Sequence, residues 1–163
     1  MTPYSSPAAA YLDIETSWAG HVTVVGVYRP TLDTFQLVRP RIDRFELLDA
    51  LDGAETLYTY NGSRFDLPVL KRRLGIVLDR FAHVDLMLTC WKKGLKGGLK
   101  RVEQALGIDR GSAGIDGIEA MRLWERFEGS GDADALETLL RYNRDDIQNL
   151  ETLALKLERL EDA

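Results

Sequence analysis

Three strand-like runs crowded into the first 38 residues constrain the fold more than any other feature. Ala9–Ile14, His21–Tyr28 and Thr34–Val38 are rich in Val, Tyr, Thr and Leu, and only the turn signals at 17–20 and 29–33 separate them. Connections that short join antiparallel neighbours, since a parallel pair needs a crossover of roughly a dozen residues or more. A three-stranded antiparallel meander is therefore expected. The pattern then changes. A helical stretch, Asp43 to Leu51, precedes a fourth strand, Glu55–Tyr60, and a helix opens near Asp66 with Pro68 in its first turn. Phe81–Val84 reads as a fifth strand. After Asp85 the chain reads as helices over about 86–93, 99–106, 117–128 and 133–160, with glycine-rich breaks between them. Strands first, then strands alternating with helices, imply an α/β domain: a mixed five-stranded sheet flanked by helices.

Composition narrows the class. A chain of 163 residues that is 45% hydrophobic and 29% charged excludes a disordered polymer, a collagen-like repeat and a disulfide scaffold. Cys90 has no second cysteine to pair with, and no Cys/His spacing suggests a zinc site. The start of the chain lacks a charged, apolar leader pattern, and no run approaches the ~20 apolar residues of a spanning helix. The expectation is a short flexible N-terminus over 1–8 and a single domain over 9–160 in a soluble, cytoplasmic protein. With 26 acidic against 21 basic residues, the net charge of −5 argues on its face against a sequence-indifferent nucleic-acid binder.

Carboxylates stand where structure alone does not want them. In the first strand Leu12 and Ile14 share one face, while Asp13 and Glu15 share the other. Two carboxylates at i and i+2 make a ready pair of oxygen ligands for a hard divalent cation. The plainer reading is a sheet face turned to water. In the last helix Leu139, Leu150, Leu153, Ala154 and Leu157 define an apolar stripe. Asp146 falls within it, Asp145 falls on the solvent side, and Tyr142 lies one turn before Asp146. A buried acid is costly unless something positive or hydrogen-bonding meets it; a metal would serve, and so would a structural tyrosine–aspartate pair. Asn61 to Asp66 follows a strand and opens a helix, where Asp66 could be only an N-cap and Asn61 only a turn residue.

Taken in order, Asp13-Ile14-Glu15-Thr16, Asn61-x-x-x-Phe65-Asp66 and Tyr142-x-x-x-Asp146 resemble the three exonuclease motifs of the DEDD superfamily. These are 3′→5′ exonucleases of the DnaQ-like, ribonuclease H-like fold. The tyrosine four residues before the last aspartate is similar to the DEDDy branch; the other branch has a histidine where this chain has Arg141. The stretches 98–108 and 142–146 look like those of stand-alone YprB-type ribonuclease H-like proteins. The resemblance implies that Asp13, Glu15, Asp66 and Asp146 hold two Mg²⁺ or Mn²⁺ ions, which together act on phosphorus in an in-line displacement. It further implies that Tyr142 orients the attacking water, and that Thr16, Asn61 and Phe65 lie along the 3′-terminal nucleotide. Two divalent ions would reverse the local charge, which reconciles the acidic composition with a DNA or RNA substrate carrying a free 3′ end.

The remaining basic residues are unevenly spread. Lys92, Lys93, Lys96, Lys100 and Arg101 fall in one glycine-rich stretch without an acid. It is either a phosphate-contacting loop, with Lys96 and Lys100 as the candidate contacts, or plain solvated surface. Lys71, Arg72 and Arg73 read as a helix's outer face, Asp85 as the cap of the next helix or a supplementary site residue, and Trp18, Trp91 and Trp124 as packing residues, with Trp18 close enough to the first motif to touch a substrate. Gly107 to Gly117 lacks a P-loop ending and reads as a connection. The expected activity is metal-dependent 3′→5′ exonucleolytic hydrolysis of DNA or RNA, by a lone trimming enzyme or within a larger nucleic-acid-processing assembly. The alternatives are an inactive nucleic-acid-binding or scaffold domain and a ribonuclease H-like endonuclease.

Overall fold

The computed structural model describes residues 1–112 and 114–161. Five strands, β1 (Ala9–Thr16), β2 (Val22–Arg29), β3 (Asp33–Val38), β4 (Thr56–Thr59) and β5 (Ala82–Asp85), form one sheet in the order β3-β2-β1-β4-β5. The first three run as the expected antiparallel meander, and β4 and β5 join it parallel to β1. Among the described residues a short 3-10 turn over Pro3–Ser5 precedes β1, and six α-helices complete the fold: α1 (Arg44–Ala50), α2 (Asp66–Leu74), α3 (Leu86–Lys92), α4 (Leu99–Ala105), α5 (Gly117–Ser130) and α6 (Ala133–Glu161). The result is a mixed five-stranded α/β sheet flanked by helices, as the sequence pattern predicts.

Strand alternation decides what each face meets. Ala10, Leu12 and Ile14 of β1 pack with Leu47 of α1 and with Val69 and Leu70 of α2. On the opposite face Ala9 and Tyr11 pack with Leu150, Leu153 and Leu157 of α6, Cys90 of α3 and Val102 of α4. Farther along that face, Val24 of β2 meets Leu139 and Tyr142 of α6 together with Leu123 and Trp124 of α5. Each fully buried leucine contributes about 1.5–3 kcal/mol, so α6 is held to the sheet along its length. Asp13 and Glu15 thus point at α6 rather than at open water, which removes the plainer reading of that pair.

The start of the sheet is fastened by a residue the sequence pattern places in a turn. Arg29 is buried and donates to four backbone carbonyls: Ala9 (3.0 Å), Ala50 (3.0 Å), Asp52 (2.8 Å) and Pro7 (2.6 Å). It joins the entry to β1 with the exit of α1. Ahead of β1, the Tyr4 ring stands 5.6 Å from Tyr58, and the Ser5 hydroxyl donates to Glu151 of α6 at 2.6 Å. Of the three tryptophans, Trp124 is buried and Trp91 is partly exposed. Trp18, in the turn between β1 and β2, stays exposed instead of packing.

Candidate functional site

Asp13 and Glu15 leave the same face of β1, and α6 crosses that face so that Asp146 arrives opposite them. Carboxylate oxygens of the three residues lie within 4.8 Å of one another. The β1–β2 register shifts between Glu15 and Thr16, a local irregularity of the kind that re-aims a side chain at a strand end. Asp66 comes in from the other side of the strand. It is the first residue of α2, and its Oδ2 accepts the Ile14 backbone N–H at 2.9 Å. The N-cap position belongs to Phe65, which makes no side-chain cap bond, so the simple helix-cap role for Asp66 does not hold. Asp66 stands outside the tight triplet, yet its charge is felt by both Asp13 and Glu15.

Burial is the main electrostatic fact here. It pushes the Asp13 carboxyl well above its usual range, with Asp146, Glu15 and Asp66 adding repulsion. Burial likewise raises Glu15 to about 8, Asp66 to about 7 and Asp146 to about 6. Glu15 Oε1 is buried without a hydrogen-bond partner. Carboxylates crowded in this way demand either protons or cations. An all-carboxylate oxygen set suits a hard divalent ion such as Mg²⁺ or Mn²⁺. The residues present therefore fit the metal group implied by the motifs.

Tyr142 is buried one turn before Asp146. Burial, followed by the charges of Asp146, Glu15 and Asp13, drives its phenol far above the ordinary value, so it stays protonated. Asp145 is less solvated than the helical phase predicts. It is half-buried, one of its oxygens is buried without a partner, and the Gly111 backbone lies beside it. The connection between α4 and α5 folds over that side of α6.

Two site neighbours escape sequence reasoning, Arg110 and Asn143. Arg110, in that same connection, grips Glu103 of α4 through two parallel bonds of 2.9 Å and also contacts the Asp146 carboxylate. Asn143 is fully buried; its amide donates to the Asp13 backbone oxygen (3.3 Å) and side chain (3.2 Å) and accepts from Gln36 of β3 (3.0 Å). One signal was available for Asn143. Gly26 sits in the middle of β2, where a glycine marks close approach, and a Cβ there would fall 2.1 Å from Asn143 Oδ1. Asp85 caps α3 as expected, accepting from the Met87 N–H (3.1 Å). It also accepts from the Asn61 N–H (2.8 Å) and from both the backbone and the hydroxyl of Ser63, fixing the turn that delivers Asp66.

The sequence-derived nucleic-acid contacts separate in space. Thr16 and Phe65 line a cleft of about 480 Å³ beside Glu15, closed on its far side by Asp116, Gly117, Ile118 and Met121 at the start of α5. Phe65 and Ile118 expose apolar surface there. Asn61 holds a left-handed turn (φ 63°) and is not part of the cleft lining. Lys100 stands over the Tyr142 ring at 4.6 Å, whereas Lys96 is exposed on the loop before α4.

No curated protein matches the chain. Its fold is similar to that of a family B DNA polymerase from the hyperthermophilic archaeon Pyrobaculum calidifontis, with a TM-score of 0.70 and 23% identity. That match covers 91% of this chain but 24% of the polymerase, so the chain spans about a quarter of that protein's length. No described helix is long and apolar enough to cross a membrane. A family model matches residues 10–158, nearly the whole of the sheet and helices just described, and on that match the chain belongs to the RNase_H superfamily.

Proposed function

We propose that this chain is a metal-dependent 3′→5′ exonuclease of the DEDDy type that hydrolyses phosphodiester bonds of DNA or RNA. Members of the RNase_H superfamily are generally nucleases. The observation that carries the reading is the meeting of Asp13, Glu15 and Asp146 within 4.8 Å, with Asp66 docked on the same strand. Asp13, Glu15 and Asp146 would hold divalent cations, and Asp66 would complete the set. Bound there, two such ions neutralise charge on the phosphoryl group and make a water more acidic.

The chain's own residues supply position and orientation. Asn143 holds the Asp13 carboxylate against β1, and the Ile14 N–H fixes one oxygen of Asp66. Tyr142, kept protonated beside the charges of Asp146, Glu15 and Asp13, is a potential hydrogen-bond donor and suits the orientation of a nucleophilic water rather than its deprotonation. The cleft beside Glu15 offers the Phe65 ring and the Ile118 side chain as apolar walls for a terminal base, with Thr16 at its floor. A lone processing enzyme resembling the YprB type and a subunit of a larger assembly are both compatible with this site.

A 3′-extended ladder assay tests the direction. A 5′-labelled oligonucleotide incubated with the protein and Mn²⁺ is expected to shorten stepwise from its 3′ end. Internal cuts would replace the reading with an endonuclease, and an intact substrate would favour a binding domain. Matched DNA, RNA and hybrid strands identify the sugar.

A further inference from the structure

Among the contacts around the acid cluster, the Arg110–Glu103 pair has no role in the reading above. Arg110 belongs to the connection between α4 and α5, far from Asp146 in sequence, yet its side chain is only 7% exposed. Nε and Nη2 donate to the two oxygens of Glu103, each at 2.9 Å, and Nη2 also contacts Asp146 Oδ1. Glu103 is itself buried. A lone arginine at this spot would compete with any cation for Asp146. Paired in both bonds with Glu103, it brings almost no net charge; it presents a fixed N–H to Oδ1 of Asp146, whose carboxylate meets those of Asp13 and Glu15 within 4.8 Å. The pair is also pinned to the helix it serves. Asn149, one turn past Asp146 on α6, donates to the Asp109 carbonyl at 3.1 Å, holding the residue before Arg110 against α6.

We infer that Arg110, neutralised by Glu103, is a positioning residue that orients the Asp146 carboxylate as a divalent-cation ligand. Partners of this kind fix the direction of a ligand's lone pairs, and losing one typically weakens metal affinity about 10–100-fold. The inference rests on the metal-site reading above, and its test separates the two.

Mn²⁺ binding is measured on the metal-free protein by titration, with the free ion followed by electron paramagnetic resonance, so that no turnover is involved. Wild type, Arg110→Gln, Asp146→Asn and the Arg110→Gln/Asp146→Asn double variant are compared after circular dichroism and thermal melts establish folding. Arg110→Gln is expected to bind Mn²⁺ about 10–100-fold more weakly than wild type. On the Asp146→Asn background it is expected to cost nothing further, since its effect runs through that carboxylate. Unchanged or tighter binding by Arg110→Gln overturns the inference, and so does an equal loss on both backgrounds, which marks a general structural role. Should Arg110→Gln fail to fold with Glu103 left buried and unpaired, Arg110→Met/Glu103→Leu removes both charges together and is read by the same criteria. A wild type that binds no Mn²⁺ overturns the metal site and this inference together, whereas a binding wild type with an indifferent Arg110 overturns this inference alone.

Discussion

At the scale of single residues, Tyr142 and Asp146 sit one helical turn apart on α6 and have different tasks, which separate on mutation. Tyr142→Phe keeps the ring under Lys100 and removes only the hydroxyl, so folding and cation binding are expected to survive. Orienting groups typically contribute about 10²–10⁴ in rate, and single-turnover cleavage at saturating Mn²⁺ should fall by a factor in that range. Asp146→Asn should abolish cleavage, because it strikes the ligand set itself and replaces the charged acceptor facing Arg110 with a neutral amide. Wild-type rates for Tyr142→Phe would make it a packing residue. Asp145 supplies the control. It neighbours Asp146 in sequence and faces the Gly111 backbone instead of the cluster, so Asp145→Asn should retain cleavage within a few-fold of wild type. Comparable losses at both aspartates would mean that the assignment of faces on α6 is wrong.

At the scale of elements, the meander, the two later strands and every α-helix were legible to within a few residues, because period-2 and period-3.6 patterns report faces directly. Asp13, Glu15 and Asp146 were legible for the same reason, whereas Asp66 stood out only through the resemblance of its segment to an exonuclease motif. Legibility stopped at contacts between segments far apart in the chain: Arg110 to Asp146, Gln36 to Asn143 and Arg29 to the carbonyls at the exit of α1. Periodicity says which way a side chain points, not what arrives to meet it from elsewhere. Gly26 is the exception, since the missing side chain of β2 is the imprint of α6. Gly26→Ala would drive its Cβ into the Asn143 amide, pushing α6 off the sheet or turning Asn143 away from Asp13. Overpacking of this kind costs roughly 1–3 kcal/mol, read as a lower urea midpoint, and Mn²⁺ affinity should fall with it. The basic stretch before α4 divides as well. Lys93 pairs with Glu161 at 3.2 Å and Lys100 turns to Tyr142, while Lys92, Lys96 and Arg101 remain exposed. If those three track a nucleic-acid backbone, neutralising them together flattens the log–log salt dependence of binding by roughly 0.7–0.9 per lost phosphate contact. An unchanged slope would identify this stretch as solvated surface.

At the scale of the whole molecule, the acid cluster ties stability to pH and to metal, with a definite sign. In the folded, metal-free chain Glu15 titrates near 8, Asp66 near 7 and Asp146 near 6, and Asp13 also stands well above its usual range. Unfolding returns all four to ordinary carboxylate values near 4. Between about pH 4 and 8 the folded chain therefore binds more protons than the unfolded chain, and its stability must fall as pH rises through that window. His83 acts in the opposite direction, since burial lowers its pKa and acid then favours unfolding, but it is one group against four. Thermal melts in EDTA are accordingly expected to give a higher midpoint at pH 5.5 than at pH 8. Divalent cations replace the missing protons, so Mg²⁺ or Mn²⁺ should stabilise strongly at pH 8 and much less at pH 5.5, where protons compete for the same oxygens. At a hundred times its Kd a cation adds about 2.7 kcal/mol, which for a chain of this length is a rise of ~5–10 °C. Asp13→Asn closes the test: removing the carboxyl that repels three others should raise the metal-free midpoint at pH 8 and largely remove the response to metal. A metal-free protein that is more stable at pH 8 than at pH 5.5, with no response to Mn²⁺, would mean that these carboxylates are satisfied within the fold and hold no cation.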